Sequence, residues 1–534
     1  MAATAQEIER KYEAGPAVTL PGLSGVQGVA QETDLPSEDL SAEYYDTDDL
    51  RLIRAGVTLR RRRGGHDAGW HLKLPAGADT RQEIRLPLGR AGRRVPAELA
   101  RLVRGWTRGA ALGPVAQIGT IRQRRALLDG SGASLAEVAI DEVSAQSMGN
   151  PATLSAWREI EVELTGGDPD LLEAIDKRLR GAGLSPAGHS AKLARALAGR
   201  LPETPAPAPL APGSAARQVV LAYAADQVAE MQATYPRVRR DEPESVHDMR
   251  VATRRLRSTL KTFAAVLAGP DAGPDPGPEP GPDPGALRAE LKWLADVLGE
   301  ARDTEVLEEA LHGRLAELPA ELLLGPVQAR VTSHFSSREA SARGSVLEAL
   351  DSARYLSLLD ALTALVAGTP EGQHTAPDDP AAPPRAPGGA GQPSAAKALP
   401  PAVRRAYRRL RRRVRRAAAT PAGEARDTAL HEIRKAAKEV RYAAECTAAA
   451  LGKDAAKLAK RAKKLQSVLG DQHDAVVARA TTRDIAVHAH LAGENTFSLG
   501  IVHEACDRDA RSLAAQAETR ADRMLAGGVP AWLR

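Results

Sequence analysis

Two hydrophobic periods divide the chain. Up to residue 200 the dominant period is two, with charged and apolar side chains alternating in short runs. Glu7, Glu9 and Lys11 interleave with Ile8, Arg10 and Tyr12; Thr58, Arg60 and Arg62 with Val57, Leu59 and Arg61; His71 and Lys73 with Trp70, Leu72 and Leu74; Arg81, Glu83 and Arg85 with Ile84 and Leu86. The pattern returns where Arg122 and Arg124 flank Gln123, where Glu137 and Asp141 alternate with Val138 and Ile140, and where Glu159, Glu161 and Glu163 alternate with Ile160, Val162 and Leu164. Such alternation predicts β-strands with one charged and one apolar face. GGHDAG, PAGAD and LDGSG supply turns between them.

A charged sheet face is ordinarily the solvated one. Here the signs are sorted into blocks, carboxylates in the first and last strands and arginine and lysine in the middle ones. A barrel with a polar interior accounts for that sorting, because inward side chains from all strands converge on one charged ligand. Its apolar exterior then needs helices. Residues 169–180, opened by Asp168 as cap and Pro169 in the first turn, and 189–200 are predicted to supply them. The four consecutive arginines at 60–63 leave the inward register there open by one residue.

After LPETPAPAPLAPG (201–213), which reads as a stiff Pro-rich linker, the period changes to that of long helices rich in Ala, Leu and Arg. Two Pro/Gly tracts, 269–286 and 368–400, are expected to be disordered loops. The parts they separate, 214–367 and 401–525, repeat each other. VHDMRVATRRLRSTLKTF (246–263) matches LHEIRKAAKEVRYAAECT (430–447), and WLADVLGEARD (293–303) matches KLQSVLGDQHD (464–474). Such duplication predicts two similar helical bundles related by pseudo-symmetry. His247, Arg250, Arg254, Arg257 and Lys261 recur at offsets of three and four, as do His431, Arg434, Lys438 and Arg441, so each set shares one helix face. Solvated faces interleave acids to relieve repulsion, and these contain none until Glu445. VRRAYRRLRRRVRR (403–416) adds nine arginines without an acid. An anionic partner is the simpler explanation.

Composition narrows the partner. The chain of 534 residues is 43% hydrophobic and 26% charged, but only 3% aromatic. A shortage of stacking residues argues against single-stranded nucleic acid, and no groove-reading motif is present. The net charge of +5 is mild, so anion binding has to come from clustering. Cys446 and Cys506 lack metal-ligand spacing and argue against a disulfide framework. MAATAQEIER has neither the basic region nor the apolar core of a signal peptide, and no run approaches a membrane span, so a cytoplasmic protein is expected.

The N-terminal part, an expected domain of residues 1–200, resembles the CYTH, or triphosphate tunnel metalloenzyme, superfamily over roughly residues 5–200. EIERK is similar to its E-x-E-x-K signature, GVTLRRRRG to its L-R-x-R strand, HLKLP to its Lys strand and TRQE to its R-x-E strand. IRQRR, IDEV, EIEVEL and the Ser-x-Lys element GHSAKL follow in the family's order. The resemblance implies an α+β multidomain chain that begins with an eight-stranded antiparallel β tunnel. It implies Mg²⁺ or Mn²⁺ held by Glu7, Glu9, Asp141, Glu159, Glu161 and Glu163. Phosphate oxygens would be clamped by Lys11, Arg60, Arg62, Lys73, Arg81, Arg122, Arg124 and Lys192, with Glu7, Glu9, Lys11 and Lys73 catalytic. Hard oxygen ligands suit such ions and guanidinium forks suit phosphate.

The second half, about 214–525, resembles the CHAD domain, an all-α module that accompanies CYTH domains and binds inorganic polyphosphate. The resemblance rests on the paired H-x-x-R helices and paired LG-x-x-x-D segments. It implies a polyphosphate site of His247, Arg250, Arg254, Arg257, Lys261, His431, Arg434, Lys438, Arg441 and His473, the histidines acting as hydrogen-bond donors. The expected function is a metal-dependent triphosphatase fused to a polyphosphate-binding module, associated with polyphosphate granules. A non-catalytic polyphosphate-targeting protein and a nucleotidyl cyclase are the alternatives.

Overall fold

The computed structural model describes residues 3–15, 18–77, 79–89, 92–149, 152–189, 191–201, 208–268, 283–367 and 393–534. Residues 202–207 of the expected linker, most of the two Pro/Gly tracts and Ser190 lie outside the described residues. The chain forms two units, Met1–Ala206 and Pro207–Arg534.

In the first unit the period-two runs become β1 (Ala3–Ala14), β3 (Thr58–Arg63), β4 (Gly69–Pro75), β5 (Thr80–Leu86), β6 (Gly113–Leu128), β7 (Ser134–Ser147) and β8 (Leu154–Leu164), and a further strand, β2 (Gln31–Asp46), joins them. All pair antiparallel in the order β5-β4-β3-β2-β6-β7-β8-β1, and β1 also pairs with β5, which closes the barrel. β1 serves both neighbours by dividing its length: residues 3–8 pair with β5 and residues 9–14 with β8. A two-residue strand, β9 (Ser185–Pro186), adds to the outer edge of β1. β2 was not legible as a strand because its sequence, QETDLPSEDLSAEYYD, is mostly polar. Pro36 cannot donate to the ladder and falls within a register shift between Leu35 and Glu38.

The apolar faces point outward and are covered by short helices: α1 (Arg51–Arg54), α2 (Ala97–Leu102), α3 (Arg104–Thr107) and α4 (Pro169–Gly181). The Asp168 carboxylate caps α4 by accepting from Leu171 N at 2.9 Å. Leu171, Leu172, Ile175 and Leu179 of α4 pack on Tyr12, Val138, Ile160 and Val162. Each such apolar side chain contributes about 1.5–3 kcal/mol on full burial. The expected outer helix at 189–200 is corrected: only α5 (Lys192–Ala196) forms. Leu193, Ala196 and Leu197 pack on Ala42, Tyr44, Ile118, Val143 and Ala145. These share the strand parity of the inward charged residues, so α5 sits against the inside of one barrel end. The strands are apolar at that end on their inner face, and a helix is what covers it.

The second unit is helical: α6 (Ala216–Arg239), α7 (Ser245–Thr262), α8 (Ala264–Ala268), α9 (Pro284–Ala316), α10 (Val327–Asp351), α11 (Ala353–Ala367), α12 (Ala395–Ala418), α13 (Glu424–Leu451), α14 (Lys453–Leu491) and α15 (Phe497–Leu525). The repeat is visible in α6-α7-α9-α10 against α12-α13-α14-α15, with α11 extra. Two departures from expectation follow. The halves do not form separate bundles, because one continuous core takes Met231 and Leu256 from the first together with Tyr407 and Val440 from the second. The tracts expected to run to 286 and 400 end sooner, at α9 and α12. Asp283 caps α9 through Gly285 N and Ala286 N. The start of α12 is pinned by Ala395 N to Ser214 O at 2.8 Å, so Pro400 and Pro401 lie inside the helix.

Candidate active site and basic groove

The inward side chains enclose a cavity of about 270 Å³ in the barrel. Strand order sets its polarity. In a closed ring of eight, β3 lies diametrically across from β8, and β2 from β1. The β1–β8 wall presents Glu7, Glu9, Glu161 and Glu163, and the wall across from it presents Arg60 and Arg62, with Arg122 and Arg124 beside them on β6. The register open by one residue in the sequence is thereby decided: Arg60 and Arg62 face in.

Most of these charges are paired. Lys73 binds Glu7. Lys11 bridges Glu9 at 3.0 Å and Glu161. Arg122 binds Asp141 at 2.8 and 2.6 Å and also reaches Glu161. Arg124 forks onto Glu137 at 2.7 Å through both nitrogens and reaches Glu38 at 3.1 Å. Arg81 donates to Gly56 O at 3.1 Å.

Two places remain unbalanced, and they face each other. Arg62 has Asp67 at 3.0 Å, yet burial and the neighbouring Arg60 and Arg122 hold its pKa down to about 10. The Nε atoms of Arg60 and Arg62 are buried without a hydrogen-bond partner. On the other wall, burial and then Glu7, Glu9 and Glu161 push Glu163 up to about 7. One side thus has surplus donors and the other surplus negative charge.

The second unit carries a groove of about 1580 Å³ between the two repeats. Its floor is formed by α7 and α13, which bring both basic stripes together, with α9 and α14 alongside. The acid-free character of the stripes in sequence does not survive folding, because neighbouring helices supply acids. Asp303 binds Arg250 at 2.8 and 3.2 Å, Asp474 lies 3.8 Å from Arg434 and Glu439 lies 3.3 Å from Lys261, while Glu445, on the same helix as Arg441, lies 2.7 Å from it. The glycines of the two LG-x-x-x-D segments make these pairings possible. A Cβ at Gly299 would stand 3.3 Å from Arg250 Nη2, and one at Gly470 would stand 3.5 Å from Arg434 Nη2. Each guanidinium therefore lies against bare helix backbone while the Asp four residues later tethers it.

Between these tethered pairs, Arg254, Arg257 and Lys438 have no carboxylate ion pair among the described residues. Burial, then Arg254, Arg434 and Arg250, lower Lys438 to about 6. Burial and His473 bring His431 to about 4, and the two rings lie 4.3 Å apart. Nδ1 of His431 and the Nε atoms of Arg250 and Arg434 are buried without partners. Burial first, and then their mutual repulsion, drive the bases of this pocket toward neutrality.

The CYTH domain model matches residues 5–192 and the CHAD domain model matches residues 222–483. The uncharacterized protein Rv2226 of Mycobacterium tuberculosis is 38% identical over 519 residues, 93% of this chain and 92% of its own. The chain belongs to the CYTH–CHAD family. Among solved structures it is similar to PptA from Streptomyces chartreusis, with 20% identity, a TM-score of 0.44, and coverage of 58% of this chain and 100% of that one. It is also similar to the CHAD domain of the plant Ricinus communis, with 24% identity, a TM-score of 0.40, and coverage of 62% and 98%.

In the CYTH barrel, the twelve residues Glu7, Glu9, Lys11, Arg60, Arg62, Lys73, Arg81, Arg122, Arg124, Glu161, Glu163 and Lys192 line the cavity. Asp141 and Glu159 do not. They are buried behind it, and with Glu161 they place three carboxylate oxygens within 4.8 Å of one another, an arrangement able to hold a metal. Lys192 Nζ lies 2.7 Å from each of those three acids. Burial opposes its charge, but Glu161, Asp141 and Glu159 outweigh burial and raise its pKa. The six acids grouped as one metal set are thus two sets, one open to the cavity and one with a lysine ammonium among its members. In the CHAD domain all ten residues assigned to the anion site line the groove.

Glu38, Tyr44, Asp67 and Arg85 also line the barrel, and sequence reasoning gave them no role. Arg85 shared the alternation of its strand, as did the buried Glu83, whose carboxylate meets His71 Nδ1 at 2.9 Å. Glu38 and Tyr44 were hidden with β2, and Asp67 sits in a turn, where no periodicity marks an inward side chain. No helix among the described residues is long and apolar enough to cross a membrane.

Proposed function

We propose that the CYTH domain hydrolyses inorganic tripolyphosphate or a related triphosphate with Mg²⁺ or Mn²⁺, and that the CHAD domain binds inorganic polyphosphate. CYTH superfamily members are typically metal-dependent triphosphatases or cyclases. The observation that carries the first part is the pair of buried, unpartnered Nε atoms on Arg60 and Arg62 across the barrel from the carboxylates of β1 and β8. A metal–triphosphate complex is a ligand with both signs. Its phosphate oxygens match the surplus donors and its cation matches the surplus acids.

The open acids fit such an ion by chemistry: Glu7, Glu9, Glu161 and Glu163 offer hard oxygens on neighbouring strands, and Glu9 and Glu163 are register partners. They would hold it, with Asp141 and Glu159 kept behind them by Lys192. The bound ion would supply Lewis-acid stabilisation of charge developing on phosphate oxygens. The chain's own residues supply the rest. Arg60, Arg62, Arg122 and Arg124 fork onto non-bridging oxygens and hold the triphosphate in line. Lys11 and Lys73, already between acids and cavity, present ammonium groups to oxygens that gain charge as water attacks the terminal phosphorus and pyrophosphate departs. α5 covers one end of the barrel and limits water there.

For the CHAD groove the support is the set of bases lacking carboxylates, Arg254, Arg257 and Lys438, at the meeting of the two stripes. A flexible polyanion bearing about one charge per phosphate meets them without needing a metal. The test measures phosphate release from tripolyphosphate, ATP and thiamine triphosphate with Mg²⁺ and then Mn²⁺, alongside polyphosphate binding to the full chain in chelator. Tripolyphosphate turnover that stops on chelation, with polyphosphate binding retained, is expected. Metal-independent turnover, or none on any triphosphate, overturns the first part; absence of binding overturns the second.

A further inference from the structure

Arg409 and Arg413 of α12 line the groove, and each is answered by an acid of α13: Glu439 lies 2.8 Å from Arg409 and Glu432 lies 3.1 Å from Arg413. Five other arginines of this helix have a different setting. Arg405, Arg408, Arg412, Arg415 and Arg416 are exposed, and none makes an ion pair among the described residues. The chain from Ala395 to Gly423 contains no acid that could answer them. At about 100° of turn per residue, Arg416, Arg405, Arg412, Arg408 and Arg415 follow Arg409 around the helix in that order, within an arc of about 120°. The buried face, Val403, Tyr407 and Leu410, occupies the other side. A continuous fan of arginine therefore begins inside the groove and ends on the outer surface, about 16 Å long from Arg405 to Arg416. Like charges at such spacing disfavour the helix; Arg409 and Arg413, which face the groove, have acids against that repulsion, and the five exposed arginines have none among the described residues.

We propose that the outer arginine face of α12 is an extension of the groove that takes the part of a long polyphosphate chain projecting from it, so that this face confers preference for long chains. The proposal rests on the polyphosphate reading of the CHAD groove. Charge complementarity and continuity with the groove both favour a single flexible polyanion. Duplex nucleic acid, stiff over about 50 nm, cannot follow a turn from a groove onto a helix face.

The experiment uses the full chain and the fourfold variant R405Q/R408Q/R412Q/R415Q, whose changes are all at exposed positions outside the core, with helix content checked by circular dichroism. Short-chain and long-chain inorganic polyphosphate are titrated calorimetrically at several salt concentrations in chelator, and duplex DNA competes at matched phosphate. Short-chain affinity should be unchanged, long-chain affinity should fall about tenfold, and the log–log salt slope for the long chain should flatten by about 3. Unchanged long-chain affinity and slope, with short chains still bound, overturns the extension and leaves the groove reading standing. Equal loss for both lengths also overturns it, because the face would then belong to the groove. Displacement by DNA makes it a general anion surface and overturns it too. Failure of the unaltered protein to bind either length removes the groove reading and the extension together.

Discussion

The barrel and the groove are both crowded with arginine and lysine, and they resolve the crowding in opposite ways. In the barrel nearly every inward cation has an inward acid, and the displaced groups are of both signs: Arg62 is held down at about 10 and Glu163 is pushed up to about 7. In the groove the acids stand at the edges, on Asp303, Asp474 and Glu439, and burial together with the neighbouring arginines holds the central Lys438 down to about 6. On the function proposed above, the site that stores both charges suits a ligand that brings both, a triphosphate with a metal. The one with cations alone at its centre suits a polyanion without a metal. The displaced groups, rather than the number of arginines, carry the distinction.

The largest way to break this comparison is to remove an open acid. Glu9→Gln or Glu161→Gln changes charge with little change in volume, and turnover of tripolyphosphate should fall by about 10³-fold, with polyphosphate binding to the groove intact. Normal turnover by both purified variants would mean that the barrel does not use its acids for a cation. Next comes the opposite wall, where Arg62→Ala should lower turnover by about 10²-fold. A full rate from that variant would show that its buried Nε is not a phosphate donor.

The groove is tested through protons. Lys438 on α13 faces Arg254 and Arg250 from α7, Arg434 on its own helix, and Asp474 and His473 from α14. Free, it loses its proton at about 6; beside a polyanion the ammonium form is favoured and its pKa rises. Between those two values binding takes up a proton, so affinity should fall by up to tenfold for each pH unit above about 6. Below that pH Lys438 is charged in both states and adds no slope. Lys438→Ala should flatten the profile measured by titration calorimetry, and an equally steep profile in that variant would place the proton elsewhere.

The smallest effect sharpens the comparison. Gly299→Ala should raise helix stability by roughly 1 kcal/mol, as the loss of a mid-helix glycine does, while the new methyl displaces the Arg250 guanidinium and weakens polyphosphate binding about threefold. Gly470→Ala, with a slightly longer approach to Arg434, should weaken it less. Stability and affinity moving together would refute a positioning role for these glycines.

Local periodicity by itself determined a great deal here. The alternation around Glu7, Lys73, Arg122 and Glu161 marked which faces are charged, because side-chain direction along a strand or helix is a property of spacing, while EIERK, the repeated H-x-x-R helices and the paired LG-x-x-x-D segments carried the resemblance to the two families; the inward register of Arg60 and Arg62 was left to the fold. Tertiary structure decided who answers each charge. Lys192 among Asp141, Glu159 and Glu161, Asp303 against Arg250, the core that Met231 and Leu256 share with Tyr407 and Val440, and α5 inside a barrel end all join residues far apart in sequence. β2 belongs with them: its polar run becomes a strand only because β3 and β6 flank it and complete its ladder. Electrostatic energy depends on distance in space, and no period in the sequence encodes which strand or helix comes to lie beside another.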